Sequence, residues 1–294
     1  MTGTRVFQRC AELAETAGDP GEGTAPPAQQ WFLVEHRGAW PRLALQALDP
    51  DAATALGEWA AGTGARIVLI RRPGRRGRDT DGLRWFRVDA RPGHESVRTG
   101  TWGGPGDLAA AVTAEGEPHD AGLTLVCAHG RHDACCAVRG RPLAAALAAD
   151  DPDGTWECSH IGGCRFAPAM VLLPHGFTHG GVSPLGAPSI VRAHRRGLVA
   201  PATLRGRSSL PPAVQAAQHH ARLATGAHGV DDLRVAAVES DGAPAGSTGW
   251  RVRFTGPDCV VELRERFVGV DRPLTCAARP AGRIRVFDAL DVRR

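Results

Sequence analysis

Five of the eight cysteines fall within two short stretches, Cys127-Ala128-His129-Gly130-Arg131-His132-Asp133-Ala134-Cys135-Cys136 and Cys158-Ser159-His160-Ile161-Gly162-Gly163-Cys164. The other three, Cys10, Cys259 and Cys276, are scattered. In a chain that reads as cytoplasmic, this crowding points to metal or redox chemistry rather than to a disulfide framework. A metal–sulfur site needs thiolates or imidazoles on loops that can fold round a metal, with N–H groups aimed at the sulfurs. The fold therefore has to deliver both stretches as loops.

The flanking pattern does so. Residues 123–126 read as a buried strand ending at Cys127. A loop over 128–135 leads into a helix over about 136–149, with Val138, Leu143 and Leu147 on its inner side. A strand over 155–158, a Gly-containing loop over 160–165 and a strand over 170–173 follow. Pro174-His175-Gly176 is a turn signal, 177–182 pairs back as a hairpin, and 187–196 is helical. Upstream, a short helical pattern (Val6, Cys10, Leu13) passes into a Gly/Pro-rich loop over 18–27. Then come a strand over 31–35, a helix over 52–62 with Asp51 as N-cap, and strands over 65–70 and 85–88. Strand, helix, strand at this spacing implies a parallel α/β unit. Beyond residue 201 the pattern changes to a helix over 212–225 and strands over 233–238, 250–254, 260–263 and 284–287, with a turn-rich connection over 242–249.

Composition narrows the class. A chain of 294 residues and 30.9 kDa suits about two domains and a core without disulfide staples. With 43% hydrophobic and 22% charged residues it is neither wholly disordered nor collagen-like. A net charge of +4, with acids and bases mixed, is not that of a dedicated nucleic-acid binder. The sequence has no Lys, Asn or Tyr, so all 35 basic residues are Arg; a G/C-rich coding bias accounts for this. The start, Met1 to Cys10, lacks the apolar run of a signal peptide. The longest apolar stretches, 67–70 and 170–173, fall far short of the ~20 residues of a membrane span. The expectation is a cytoplasmic protein without membrane or nucleic-acid partners. The basic run over 71–78 reads as a solvated loop rather than a phosphate or acidic-partner dock.

Glycines 130, 162 and 163 suit wrapping loops, and Cys136 opens a helix whose dipole favours a thiolate. No Cys-x-x-Cys pair exists. Cys127 and Cys136 are nine positions apart and His160 and Cys164 four. Spacing alone leaves a Cys3His zinc site and an iron–sulfur cluster nearly level.

The surrounding words go further. Gly23-Thr24-Ala25-Pro26, Trp31 to Glu35 and Trp40 match the sucrase/ferredoxin-like family. So do Cys127-Ala128-His129-Gly130, Asp133-Ala134-Cys135-Cys136-Ala137 and Gly140-Arg141-Pro142-Leu143. Ser159-His160-Ile161-Gly162-Gly163, running into Arg165-Phe166-Ala167-Pro168, matches best, and Leu172 to Gly176 and Ile190 to His194 fit a closing hairpin and helix. Over roughly residues 8–230 the chain resembles this branch of the thioredoxin-like [2Fe-2S] ferredoxins.

The resemblance implies that Cys127 and Cys136 bind one iron and His160 with Cys164 the other. Family members often carry His where this chain has Cys164. A thiolate there adds negative charge and implies a lower potential than a two-His member; a single His keeps it above an all-Cys cluster. A solvent-reaching nitrogen on His160 would couple electron uptake to protonation. The expected architecture is α/β: an N-terminal region over 1–112, itself a candidate cluster-free thioredoxin-like unit, a thioredoxin-like [2Fe-2S] ferredoxin domain over 113–200, and a C-terminal helix and β extension over 201–294.

The remaining candidates read as follows. Cys135 is buried packing. Cys158, sharing a strand face with His160, is the alternative ligand. His129 and His132 are either donors to cluster sulfurs or solvated loop residues, and His175 and His179 belong to the turn and hairpin. Arg141 and Arg165 flank the site, either balancing its charge or meeting an acidic partner. Trp156 is core, and Cys10, Cys259 and Cys276 are buried free thiols. The function expected is one-electron transfer between redox protein partners. The alternatives are a zinc-stabilised binding module or a redox sensor. Hydrolysis is disfavoured because Asp150, Asp151 and Asp153 form a loop cluster without a framed carboxylate pair. A nicotinamide or flavin reductase is disfavoured because no G-x-G-x-x-G follows a strand.

Overall fold

The computed structural model describes residues 8–75, 82–242 and 247–294. Val6, the Arg76-Gly77-Arg78 part of the basic run, and residues 243–246 of the turn-rich connection lie outside them. After α1 (Cys10–Thr16), two stretches of chain repeat one order of elements. The first runs β1 (Gln30–Glu35), α2 (Pro50–Thr63), β2 (Ala65–Arg71), β3 (Leu83–Asp89), β4 (Ser96–Trp102), α3 (Pro105–Ala110) and β5 (Glu117–Pro118). The second runs β6 (Leu123–Cys127), α4 (Ala134–Asp150), β7 (Thr155–Cys158), β8 (Ala169–Leu173), β9 (Phe177–Gly180), α5 (Ala187–Arg195) and β10 (Leu204–Arg207).

All ten strands form one mixed sheet in the order β10-β9-β8-β6-β7-β2-β1-β3-β4-β5. Within each half the first two strands are parallel, and the third pairs antiparallel with the first. The halves join where β2 meets β7 antiparallel, Ile70 opposite Cys158 and Arg71 opposite Glu157. The central strands are almost wholly buried, as Trp31-Phe32-Leu33-Val34 and Leu123-Thr124-Leu125-Val126 are, because both sheet faces are covered. On one face Phe32, Val34 and Leu69 pack under α2, and Val126, Met170 and Leu172 pack under α4 and α5. On the other, Trp31, Leu33, Ile70, Leu125, Trp156 and Val171 share a single core that crosses the seam. Each such side chain stabilises the fold by roughly 1.5–3 kcal/mol on burial.

The expected C-terminal extension is α6 (Pro212–Thr225) laid on a four-stranded antiparallel sheet, β11 (Arg234–Ser240), β12 (Ser247–Thr255), β13 (Cys259–Val270) and β14 (Gly282–Arg293), in that order. Ala213, Ala217 and Ala221 of α6 pack against Val252, Phe254, Val261 and Leu263. The chain is thus α/β, with a large mixed sheet and a second, antiparallel one. Among the described residues no helix is long and apolar enough to cross a membrane.

Several local expectations are corrected. The N-cap of α2 is Asp49, whose carboxylate accepts the N–H groups of Asp51 and Ala52 at 3.0 and 3.4 Å, with Pro50 opening the helix. α4 starts at Ala134, capped by Asp133, and Val138 is 51% exposed because Leu143, Ala144 and Leu147 define its inner face. Strands β4, β5 and β10 escaped notice, since they carry little of the apolar pattern that marks a central strand. Arg71 and Arg72 are not a solvated loop: their guanidinium groups lie over the rings of Trp40 and Trp156, 4.2 and 3.6 Å from the centroids.

Candidate metal centre

The parallel pairing of β6 and β7 sets Cys127 opposite Cys158, so the loops that leave these strands start side by side. The first loop returns through Asp133 into α4, which brings Cys136 back under Cys127. α4 can approach this closely because residue 140 is glycine: a Cβ there would lie 2.0 Å from the carbonyl oxygen of Cys127. In the second loop Gly162 and Gly163 sit at φ +93° and +74°, conformations that favour glycine. Side chains there would also strike Pro26 and Arg205.

The four sequence candidates converge. The ligand atoms of Cys127, Cys136 and His160 lie within 4.8 Å of one another, as do those of Asp133, Cys136 and Cys164 and those of His132, His160 and Cys164. Nδ1 of His160 is 3.6 Å from Sγ of Cys164. Cys127, Cys136 and Cys164 are buried and His160 is half-buried. The triples overlap, and Cys136, His160 and Cys164 each belong to two of them.

Its protons are already partly displaced. The hydrogen bond from Cys136 holds the Cys127 thiol well below its ordinary range against burial, with help from His160 and the backbone N–H of Ile161. The same Cys136 donor, aided by His160, brings Cys164 down to about 7. Cys136 itself is pushed up as the proton donor to both. Burial works against an imidazolium at His160, but the Cys127 and Cys164 sulfurs outweigh it and hold the ring at about 9.

The surroundings fix His160. His129 donates its Nε2 proton to the carbonyl of Pro41 at 2.8 Å, leaving Nδ1 to accept the backbone N–H of His160 at 3.3 Å. The ring of His132 stacks on that of His160, centroids 3.7 Å apart and 17° between planes. Arg66 donates to the His160 carbonyl at 3.2 Å. Arg205, wholly buried, donates to the Gly162 carbonyl at 3.1 Å, to Thr24 Oγ1 at 3.0 Å and to the Thr24 carbonyl. Desolvation lowers its guanidinium to about 9, partly offset by Cys127 and Cys164.

Other candidates fall elsewhere. Cys158 is fully buried, and burial raises its thiol well above the ordinary range; among the described residues it joins no group able to hold a metal. Cys135 and Cys10 are buried free thiols in the core as expected, Cys276 is half-buried, and the fold brings these three together: Cys135 Sγ lies 3.6 Å from Cys10 Sγ and 3.3 Å from that of Cys276. His129 and His132 make bonds to carbonyls rather than to sulfur. His179 is buried against Thr203 Oγ1 at 3.0 Å. Arg165 pairs with Asp19 at 3.1 Å, and Arg141 is exposed on α4. Asp150 and Asp151 pair with Arg192 and Arg195. Asp133, Arg66 and Arg205 were missed. A lone charge in the buried run Ala65-Arg66-Ile67-Val68 was a signal for Arg66, and the Gly23-Thr24-Ala25-Pro26 word marked the segment that Arg205 binds.

The sucrase/ferredoxin-like family model matches residues 22–206, more than half of the chain. The chain belongs to that family. The match takes in both halves of the ten-stranded sheet up to β10 and both cysteine-bearing loops, and leaves out α1, α6 and the four-stranded sheet. Comparison with curated proteins and with solved structures returns no significant match.

Proposed function

We propose that this protein is a one-electron carrier whose [2Fe-2S] cluster is held by Cys127, Cys136, His160 and Cys164. The observation that carries the reading is the convergence of three thiols and one imidazole from two adjoining loops in a sucrase/ferredoxin-like chain. The donor set fits the group: thiolate and imidazole are the ligands such clusters take. The Ile161 N–H and the Arg66 and Arg205 guanidinium groups supply positive charge beside the sulfurs.

When bound, the cluster supplies a reversible one-electron couple. The chain's own residues set how easily the electron enters. Arg205 and Arg66 lower the cost of the added negative charge, and burial of the three sulfurs raises it. His129 fixes the backbone of His160, and His132 lies flat on its ring. The half-buried His160 is then the ligand nearest solvent, and a partner redox protein would meet the cluster there, beside the exposed Arg42 and Arg131. The thioredoxin-like reading of the 113–200 region rests on the β6-α4-β7-β8-β9-α5 order.

Electron paramagnetic resonance on anaerobically purified, dithionite-reduced protein tests the proposal. A spin-half signal integrating to about one per chain, with nitrogen coupling lost in His160→Cys, is the expected result. A silent sample containing one zinc at these four residues would instead establish a structural Cys3His site.

A further inference from the structure

A second constellation adjoins the four cluster residues, with Asp133 also within 4.8 Å of the Cys136 and Cys164 sulfurs. Sγ of Cys10, Cys135 and Cys276 form a triangle with edges of 3.6, 3.3 and 3.7 Å. A carboxylate oxygen of Asp133 lies 3.7 Å from Cys10 Sγ. All four ligand atoms lie within 4.8 Å of one another, which makes this a compact group. Tetrahedral zinc with Zn–S bonds near 2.3 Å spaces its thiolates about 3.7–3.8 Å apart, so the triangle closes on one ion with shifts of a few tenths of an ångström.

The support for these residues is also in place. Asp133 accepts the backbone N–H of Cys135 on one oxygen and that of Cys276 on the other, each at 2.8 Å, which fixes the carboxylate, and the thiols of Cys276 and Cys164 also donate to it. The loop carrying Cys276 is tied down by Arg272, which pairs with the buried Asp19, and Asp19 also holds Arg165. Cys10, Asp133 and Cys135 are buried and Cys276 is half-buried, so an ion has a way in.

We propose that Cys10, Cys135, Cys276 and Asp133 bind one structural Zn²⁺ ion. Binding forms three Zn–S bonds and one Zn–O bond and releases the thiol protons to solvent. Cys10 and Cys276 both lie outside the stretch that the family model matches, whereas Asp133 and Cys135 lie within it. The ion thus fastens α1 and the β13–β14 loop, and with it the four-stranded sheet, onto the first turn of α4. Cys135 is the neighbour of the cluster ligand Cys136, so the same turn of helix serves both centres.

Metal counting on anaerobically purified full-length protein tests this. About one zinc per chain is expected, falling below about a tenth in Cys10→Ser and Cys276→Ser with the iron content unchanged. Cys127→Ser is expected to lose iron and keep this zinc. If the first centre itself held zinc, the intact protein would carry two ions and Cys276→Ser one, so failure of the cluster reading and of this one are distinguishable. A measurement on the unaltered chain guards against misfolded variants: chelation should speed alkylation of Cys276 by iodoacetamide roughly tenfold or more. Zinc-free protein, a Cys135–Cys276 disulfide in the native peptide map, or Cys276 alkylation indifferent to chelator would overturn the proposal.

Discussion

The two halves of the ten-stranded sheet share an order of strands and helices but end their central strands in different chemistry. β6 ends in Cys127; its counterpart β1 ends in Glu35, a buried carboxylate that accepts the Arg84 N–H at 3.0 Å and pairs with Arg37 at 3.2 Å. After β7 the chain runs into Ser159 and His160. β2 ends at Arg71 and runs on into Arg72, and their guanidinium groups cover Trp40 and Trp156. Both helices that follow the first strands are capped by aspartate, Asp49 and Asp133. The scaffold is common, and the site is a property of loop residues placed on it. The N-terminal half is still part of the centre, because its Pro41 carbonyl holds His129 and its Arg66 holds the carbonyl of His160.

The sharpest test of that contrast removes the corresponding strand ends. Cys127→Ser or Cys136→Ser should abolish iron binding, read as loss of visible absorption and of iron in elemental analysis. Glu35→Gln should leave the iron content intact and lower unfolding stability in a denaturant titration by about 1–3 kcal/mol, the cost of a weakened buried polar network. Bleaching by Glu35→Gln would break the comparison.

Glycines in the paired helices make a second test. Gly140→Ala drives a Cβ against the Cys127 carbonyl, and should cost about 1–3 kcal/mol of stability as overpacking and reduce cluster occupancy. Gly57 in α2 has nothing within 4 Å of an added Cβ, so Gly57→Ala should stabilise by up to about 1 kcal/mol through helix propensity. Thermal unfolding of the two variants, paired with iron analysis, reads both effects.

Acid should act on the C-terminal half through the buried His179 and the half-buried His194. Burial lowers His179 from 6.5 to about 4, and burial with neighbouring cations lowers His194 from 6.5 to about 3. Their folded pKa values lie below the unfolded value, so the stability they contribute is complete above pH 6.5. It is lost as pH falls through 4 and towards 3. Denaturation midpoints measured from pH 7 to 4 should fall steadily, and His179→Gln should flatten that fall. The smallest effect expected is on potential: His160→Cys and Arg205→Gln should each shift the midpoint downward in a redox titration, the first by adding a thiolate and the second by removing a buried cation.

Much of this was legible in the sequence. Strands β1, β2, β6 and β8 showed themselves as short apolar runs, and the Cys127-to-Cys136 and His160-to-Cys164 stretches stood out as loops by their glycines and crowded thiols. What was hidden depends on long-range pairing. β4, with Ser96-Val97-Arg98-Thr99-Gly100, has no continuous apolar run and is fixed by its partner β3. Cys10 and Cys276 lie 266 positions apart, and no local pattern announces that they meet at Cys135. Arg205 reads as one arginine among 35, and only the fold turns it inward onto the Gly162 loop. Asp133 looked like a loop residue until the start of α4 made it a cap.

The most direct measurement is a count of iron, acid-labile sulfide and zinc on protein purified without oxygen, with the visible spectrum recorded on the same sample. The account predicts a red-brown protein with two irons and two sulfides per chain, all four lost in Cys136→Ser. A colourless protein whose Cys127, Cys136, His160 and Cys164 hold a single zinc would contradict it.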